Sequence, residues 1–257
     1  MTKIFKKIFW CFGIYLSSKK SYEKLIVESK QANEILQLTL KIHNINENYA
    51  KAQLGQDLIA LLVNKFKHNG YFVEFGATNG CDLSNSYLLE KKFNWSGILA
   101  EPMPRWHKEL FKNRKNSLVD RRCVWSLSGE ILDFLDVEDG ELSTIVRYAN
   151  SDNHANERKK SKKIKVKTIS LLDLLKFHGA PKVIDYLSVD TEGSELEILS
   201  NFPFNEYRFN FISIEHNYGP NRYLLINLMK KNGYQIETAY NGQDALHTAE
   251  SFQPDIV

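Results

Sequence analysis

Tyr71-Phe72-Val73-Glu74-Phe75-Gly76-Ala77-Thr78-Asn79-Gly80 carries an apolar strand into a glycine-punctuated turn. Aromatic and β-branched residues around one acid are what a buried strand uses, and Gly76 and Gly80 allow backbone angles and close ligand approach that other residues resist. The spacing then selects among nucleotide cofactors. A dinucleotide fingerprint, G-x-G-x-x-G, needs glycines where Thr78 and Cys81 stand; the pattern here is E-x-G-x-x-x-G. An acid at Glu74 suits a ligand with an ammonium group, and the incomplete phosphate cradle suits one without phosphates. S-adenosylmethionine meets both conditions. A purely structural strand-to-helix turn would use the same residues, so the flanking chain has to discriminate.

Downstream, Ser84-Asn85-Ser86-Tyr87-Leu88-Leu89-Glu90 reads as a polar helix entry, and Trp95 to Ala100 as a second strand ending in Glu101-Pro102. A carboxylate about 20 residues beyond the glycine loop, at the next strand end, is placed to accept both ribose hydroxyls of an adenosine. Ser117 to Trp125 is expected to form a third strand, broken in pattern by Asp120-Arg121-Arg122, whose end at Cys123-Val124 could border an adenine ring. Ile131 to Val137 suggests an extra strand or hairpin, and Leu142 to Ala149 has no clear pattern. The polar stretch Asn150 to Lys167, with His154 and the run Arg158-Lys159-Lys160-Ser161-Lys162-Lys163, reads as a mobile loop near the site. It is either a solvated surface or an attractor of an anionic substrate.

Val183 to Val189 is a buried-strand run ending at Asp190, and Thr191-Glu192-Gly193 leads into a helix whose Ser194-x-x-Glu197 has capping-box spacing. Ligands of open α/β sheets bind at the carboxyl ends of strands, so Asp190 is expected in the same crevice as Gly76 and Glu101. Phe209 to Ile214 makes another strand and ends in Glu215-His216. A histidine there, beside an acid, is the candidate general base, since an unperturbed pKa of about 6.5 allows proton acceptance near neutrality. Asp190 or Glu215 would orient the imidazole or the acceptor. A divalent ion held by Asp190 is the competing mechanism, but no compact ligand motif is present and no metal is assigned. Asn221 to Lys230 reads as a helix, and Gly233 to Glu237 as a closing antiparallel strand.

The chain of 257 residues, 43% hydrophobic and 25% charged, suits one sizeable α/β domain with an appendage. A net charge of +3 gives no general case for nucleic acid, and no aromatic platform interleaves with the lysines at 158–167. Cys11, Cys81 and Cys123 have neither disulfide nor zinc spacing, which fits a reducing cytoplasm. Lys3, Lys6 and Lys7 precede an apolar run from Ile8 to Leu16 that includes Phe9, Trp10 and Phe12. That run is too short to span a bilayer, for which about 20 apolar residues are needed, and it lacks a signal-peptide cleavage pattern; residues 3–16 could pack as a helix on the core or a partner, or lie peripherally in a membrane interface. Tyr22 to Asn48 has helical periodicity. We therefore divide the chain into a basic, aromatic helical extension, 1–50, and a catalytic domain, 51–257.

Taken together, the residues resemble the FkbM family of S-adenosylmethionine-dependent methyltransferases. The resemblance runs from about Gln53 to Tyr234 and rests on Gln53-Leu54-Gly55-Gln56-Asp57, the Phe72 to Gly80 loop, Ser84-Asn85 with Leu88-Leu89-Glu90, Trp95-Ser96-Gly97, Glu101-Pro102, Cys123-Val124, Asp190 to Glu195, and Glu215-His216. It implies a class I, Rossmann-like fold with a mainly parallel sheet flanked by helices. It also implies methyl transfer, usually to an oxygen of a sugar, glycan or other small molecule. By the same resemblance Glu74, Gly76, Ala77, Asn79, Gly80, Asn85, Glu101, Val124 and Asp190 inherit cofactor-site roles. Two other readings compete: a nicotinamide-dependent enzyme, and a non-catalytic binding module that keeps the fold.

Overall fold

The computed structural model describes residues 45–137, 142–149, 156–215 and 221–236. The helical extension lies outside the described residues except for its end, where Glu47–Tyr49 form a 3-10 turn. Residues 3–16, considered for a membrane interface, lie outside them too, as do His154 and His216. Among the described residues no helix is long and apolar enough to cross a membrane.

The elements run α1 (Gln56–Val63), β1 (Tyr71–Phe75), α2 (Tyr87–Phe93), β2 (Ser96–Ala100), α3 (Pro104–Asn113), β3 (Leu118–Asp120), β4 (Cys123–Trp125), β5 (Ile131–Asp136), β6 (Thr144–Ile145), β7 (Lys162–Ser170), α4 (Leu171–Phe177), β8 (Val183–Val189), α5 (Glu195–Ser200), β9 (Arg208–Ile214) and α6 (Arg222–Lys231). One sheet has the order β3-β2-β1-β8-β9 with every pairing parallel. Its centre is apolar on both faces because helices cover both. Val73, Phe75 and Leu187 face Leu174, Leu175 and Ile198, whereas Phe72 and Tyr186 face Leu58, Leu61 and Leu88. Strand order reverses between β1 and β8, which opens a crevice at their carboxyl ends.

The second sheet has the order β4-β7-β5-β6, with β4 parallel to β7 and the other pairings antiparallel. It accounts for several departures from expectation. The strand expected over Ser117 to Trp125 is two strands in two sheets. Asp120, clasped by Arg122 and by His178 Nε2 at 2.9 Å, ends β3, and the chain turns before β4. From Asn156 on, the stretch expected as a mobile loop has regular structure: Glu157–Lys160 form a 3-10 turn and β7 begins at Lys162. Its lysines alternate with apolar residues, so Lys163, Lys165 and Lys167 are exposed while Val166 is buried with Trp125 and Phe134. The run is a strand with a period of two. The antiparallel strand expected at Gly233 to Glu237 is absent from its described part, since Tyr234 to Ile236 belong to no strand.

A buried cation joins the helices to the turn after β1. Arg114, 1% exposed at the end of α3, donates from Nε to Glu90 at 2.7 Å, from Nη1 to Ser84 Oγ at 3.0 Å and from Nη2 to Ser86 Oγ at 2.8 Å. Both hydroxyls in turn donate to Glu74 Oε2, which is 3.8 Å from Arg114 Nη1. Arg114→Ala removes the charge facing two buried carboxylates and is expected to cost about 3–5 kcal/mol. Arg114→Lys, without the five-donor fork, should recover only part of this. Equilibrium urea unfolding measures both; a loss below about 1 kcal/mol for the alanine variant would contradict the assigned role.

Candidate active site

The crevice between β1 and β8 is a cavity of about 830 Å³ counting its open mouth. Gly76 forms its floor. Its φ is +72°, and a Cβ there would stand 2.4 Å from the Asp190 carbonyl oxygen. The two strand ends therefore approach as closely as only glycine allows.

Glu101 closes one side. Its Oε2 accepts from Thr78 N and its Oε1 from Met103 N, both at 2.8 Å, so each oxygen keeps a lone pair for a ligand. Burial pushes this carboxyl up to about 7, with the two amides pulling it down against that trend. Val124 and Cys123 are buried next to it on the wall. Burial, then the charge of Glu101, raises the Cys123 thiol to about 12, so at neutral pH it is an apolar surface rather than a nucleophile.

On the other side Glu74 is occupied within the chain. Oε1 accepts from Asn85 N at 2.8 Å and Oε2 from Ser84 and Ser86. Burial pushes its carboxyl above the ordinary range, and Arg114 offsets part of that. Asn85 donates from Nδ2 to Ser188 Oγ at 2.9 Å, while its fully buried Oδ1 has no partner. Asn85 also lines the cavity, so an acceptor is available there to a ligand donor.

Three residues tied to the cofactor by sequence stand behind the wall instead. Ala77 packs in the core with Leu88 and Leu110. Asn79 spends its side chain on the turn, with Oδ1 accepting from Cys81 N and Asp82 N and Nδ2 donating to Asp82. Gly80, φ +74°, makes room for Leu110 and Arg114. They shape the loop.

At the far end, β8 and β9 are paired in register through Val189 and Ile214, which sets Asp190 beside Glu215. Glu192, in the exit turn at φ +56°, completes a group whose carboxylate oxygens lie within 4.8 Å of one another. These residues could hold a divalent cation. Burial, then the charge of Asp190, pushes Glu215 well above the carboxylate range. The expected capping box is not formed. Ser194 donates to Thr191 Oγ1, Glu195 folds back to accept from Thr191 and Gly193, and Glu197 takes Arg147 and Tyr148.

Sequence reasoning missed the cover. Phe134 and Ile145 of the second sheet, with Ser143 just before β6, line the cavity. Thr144 Oγ1 donates to Glu192 O at 2.9 Å, and Arg158, 3% exposed, reaches Glu192 Oε2 at 3.0 Å and Leu142 O at 2.9 Å. Nothing in the basic run marks Arg158 as its buried member. The candidate base His216 follows Glu215 directly but lies outside the described residues.

Residues 74–236 match a family model described as the methyltransferase FkbM domain. No curated protein and no solved structure matches the chain.

Gly76→Ala puts a side chain at a left-handed φ and against the Asp190 carbonyl, and is expected to cost about 1–3 kcal/mol and to part the strand ends. Thermal or urea unfolding would show it. Wild-type stability would mean that the turn relaxes freely.

Proposed function

The chain belongs to the FkbM methyltransferase family, and from that premise we propose that it transfers the methyl group of S-adenosylmethionine to a hydroxyl oxygen of a sugar, glycan or other small molecule. The observation that carries this reading is the cavity wall, whose charged side chains among the described residues are all carboxylates, with Asn85 Oδ1 an unpartnered acceptor beside them. S-adenosylmethionine presents the complementary groups: an ammonium, a positive sulfur and a vicinal diol. Glu101 offers one free lone pair per oxygen to the diol. Asn85 Oδ1 and the edge of Glu74 would take the ammonium, the Gly76 to Thr78 backbone would lie beside the methionine part, and Val124 with Cys123 would give adenine an apolar side. The bound cofactor supplies an electrophilic methyl on a good leaving group. A nicotinamide dinucleotide would bring a pyrophosphate against the same carboxylates, so it is disfavoured.

The protein's own contribution is placement and proton removal. Holding two reactants in line can be worth about 7–11 kcal/mol, and the second sheet shields the cavity on one side from water. The acceptor hydroxyl must also lose a proton. We assign its removal to His216, with Asp190 orienting the acceptor and Glu215, its carboxyl raised by burial, able to share a proton with Asp190 and hold the pair in place.

Cofactor affinity should depend on pH through Glu101. A diol is a donor and needs the ionised carboxylate, so binding favours the deprotonated form of a group at about 7 in the free protein. Affinity is therefore expected to rise with pH up to about 7 and to level off above it. Glu101→Gln should lose about 1–3 kcal/mol and flatten that dependence, which calorimetry across pH would measure. An unchanged profile in the variant would remove Glu101 from the role. His216→Ala should lower turnover by about 100-fold or more with cofactor affinity unchanged. Near-normal turnover in that variant, or loss of wild-type activity on adding a chelator, would overturn the assignment of the base.

A further inference from the structure

The charge on the cavity wall has one sign. Glu74, Asp82, Glu101, Asp190 and Glu192 line it, and among the described residues no lysine, arginine or histidine does. Glu215 adds another carboxyl beside Asp190. Cations reach two of these acids: Arg114 lies 3.8 Å from Glu74 and Arg158 3.0 Å from Glu192. Glu101 is met by backbone amides, and Asp190 stands beside Glu215. The lysines that the basic run offered as attractors of an anionic substrate do not line the cavity: Lys159, Lys160, Lys162 and Lys163 are exposed, as are Lys165 and Lys167 further along β7. Its buried residue Val166 packs on the opposite side with Trp125 and Phe134.

We infer that the acceptor is a hydroxyl compound with no phosphate or carboxylate near the reacting oxygen. Neutral or amine-bearing sugars and polyols fit; phosphosugars, uronic acids and nucleotides do not. This rests on the methyl-transfer reading above and adds the charge class of its substrate. A cleft lined by one sign of charge, with low-dielectric walls, concentrates its field on whatever enters. Arg114 and Arg158 offset Glu74 and Glu192 and the sulfonium offsets Glu101, which leaves Asp190 facing the acceptor. A second negative group there meets repulsion with no compensating cation among the described residues, which is how like charge serves specificity.

The test is a panel of matched acceptors, each neutral sugar or polyol paired with its phosphate ester or uronate, assayed for methyl transfer by the full chain with and without magnesium. The neutral member of each active pair is expected to exceed its anionic counterpart in kcat/KM by about 100-fold or more. The gap should narrow at high salt as the field is screened. Equal or faster transfer to the anionic member would overturn the inference and leave the methyl-transfer reading intact. So would transfer to it only when magnesium is present, which would mean that a metal at Asp190, Glu192 and Glu215 bridges the anion. A second measurement needs no acceptor: inorganic pyrophosphate titrated calorimetrically into the protein, with and without S-adenosylmethionine. The inference expects no pyrophosphate binding and no displacement of the cofactor, and either would overturn it. Failure of S-adenosylmethionine itself to bind would count against the underlying reading instead.

Discussion

A guanidinium shut away from solvent must find oxygen for its N–H groups, and Arg114 finds it at Glu90, Ser84, Ser86 and Gly80. Each partner belongs either to α2 or to the turn between β1 and α2. The same serines complete the shell of Glu74, so one charge at the end of α3 determines where the turn runs and how a carboxylate is kept under the sheet's crest. Asn85 is positioned by that arrangement, its amide nitrogen on Glu74 and its side chain on Ser188 of β8. The site's unpartnered acceptor is thus a consequence of satisfied neighbours. Buried networks of this kind are costly when incomplete, which favours a single loop conformation over several.

Against this frame, the second sheet acts as a cover. Its apolar face, which includes Cys123 and Trp125, closes on Met103 and Trp106, and its β6 end is tied to the Glu192 turn by Thr144 and, through the neighbouring 3-10 turn, by Arg158. The ties meet the turn that follows Asp190, so the Asp190 end of the cavity and the cover are mechanically one unit. A substitution in the cover, far from Gly76 in sequence, would be felt by the carboxylates at the strand ends. Lys163, Lys165 and Lys167 of β7 lie on the outer face of the same cover. Their charge meets solvent while the acids line the cavity.

Burial tunes the acids in different ways. Glu101 keeps only two amides as partners and titrates near neutrality, whereas Glu74 has a cation and two hydroxyls. Glu215 is raised further by its carboxylate neighbours. Carboxyls so placed respond to the charge of what binds, which links ligand recognition to protonation at the same wall.

How much of this was readable beforehand follows from the range of the forces involved. The β1 and β8 strands, their ends at Gly76 and Asp190, and Glu101 one strand over were legible, because buried parallel strands write continuous apolar runs and their carboxyl ends are where sheets bind ligands. The helices on both faces followed from the same local periodicities. The roles of Ala77, Asn79 and Gly80 were not legible, since a loop residue serves wall or backing according to which way a turn folds, and Arg114 decides that from 34 residues beyond Gly80. The lysine alternation of β7 passed for a solvated loop because its apolar half gains its meaning only from β5 across the ladder. Local pattern determined strands, helices and the crevice; the cover, the buried Arg158 and the one-sided charge of the cavity were decided by the tertiary structure, because they arise from contacts between segments whose sequences carry no mark of each other.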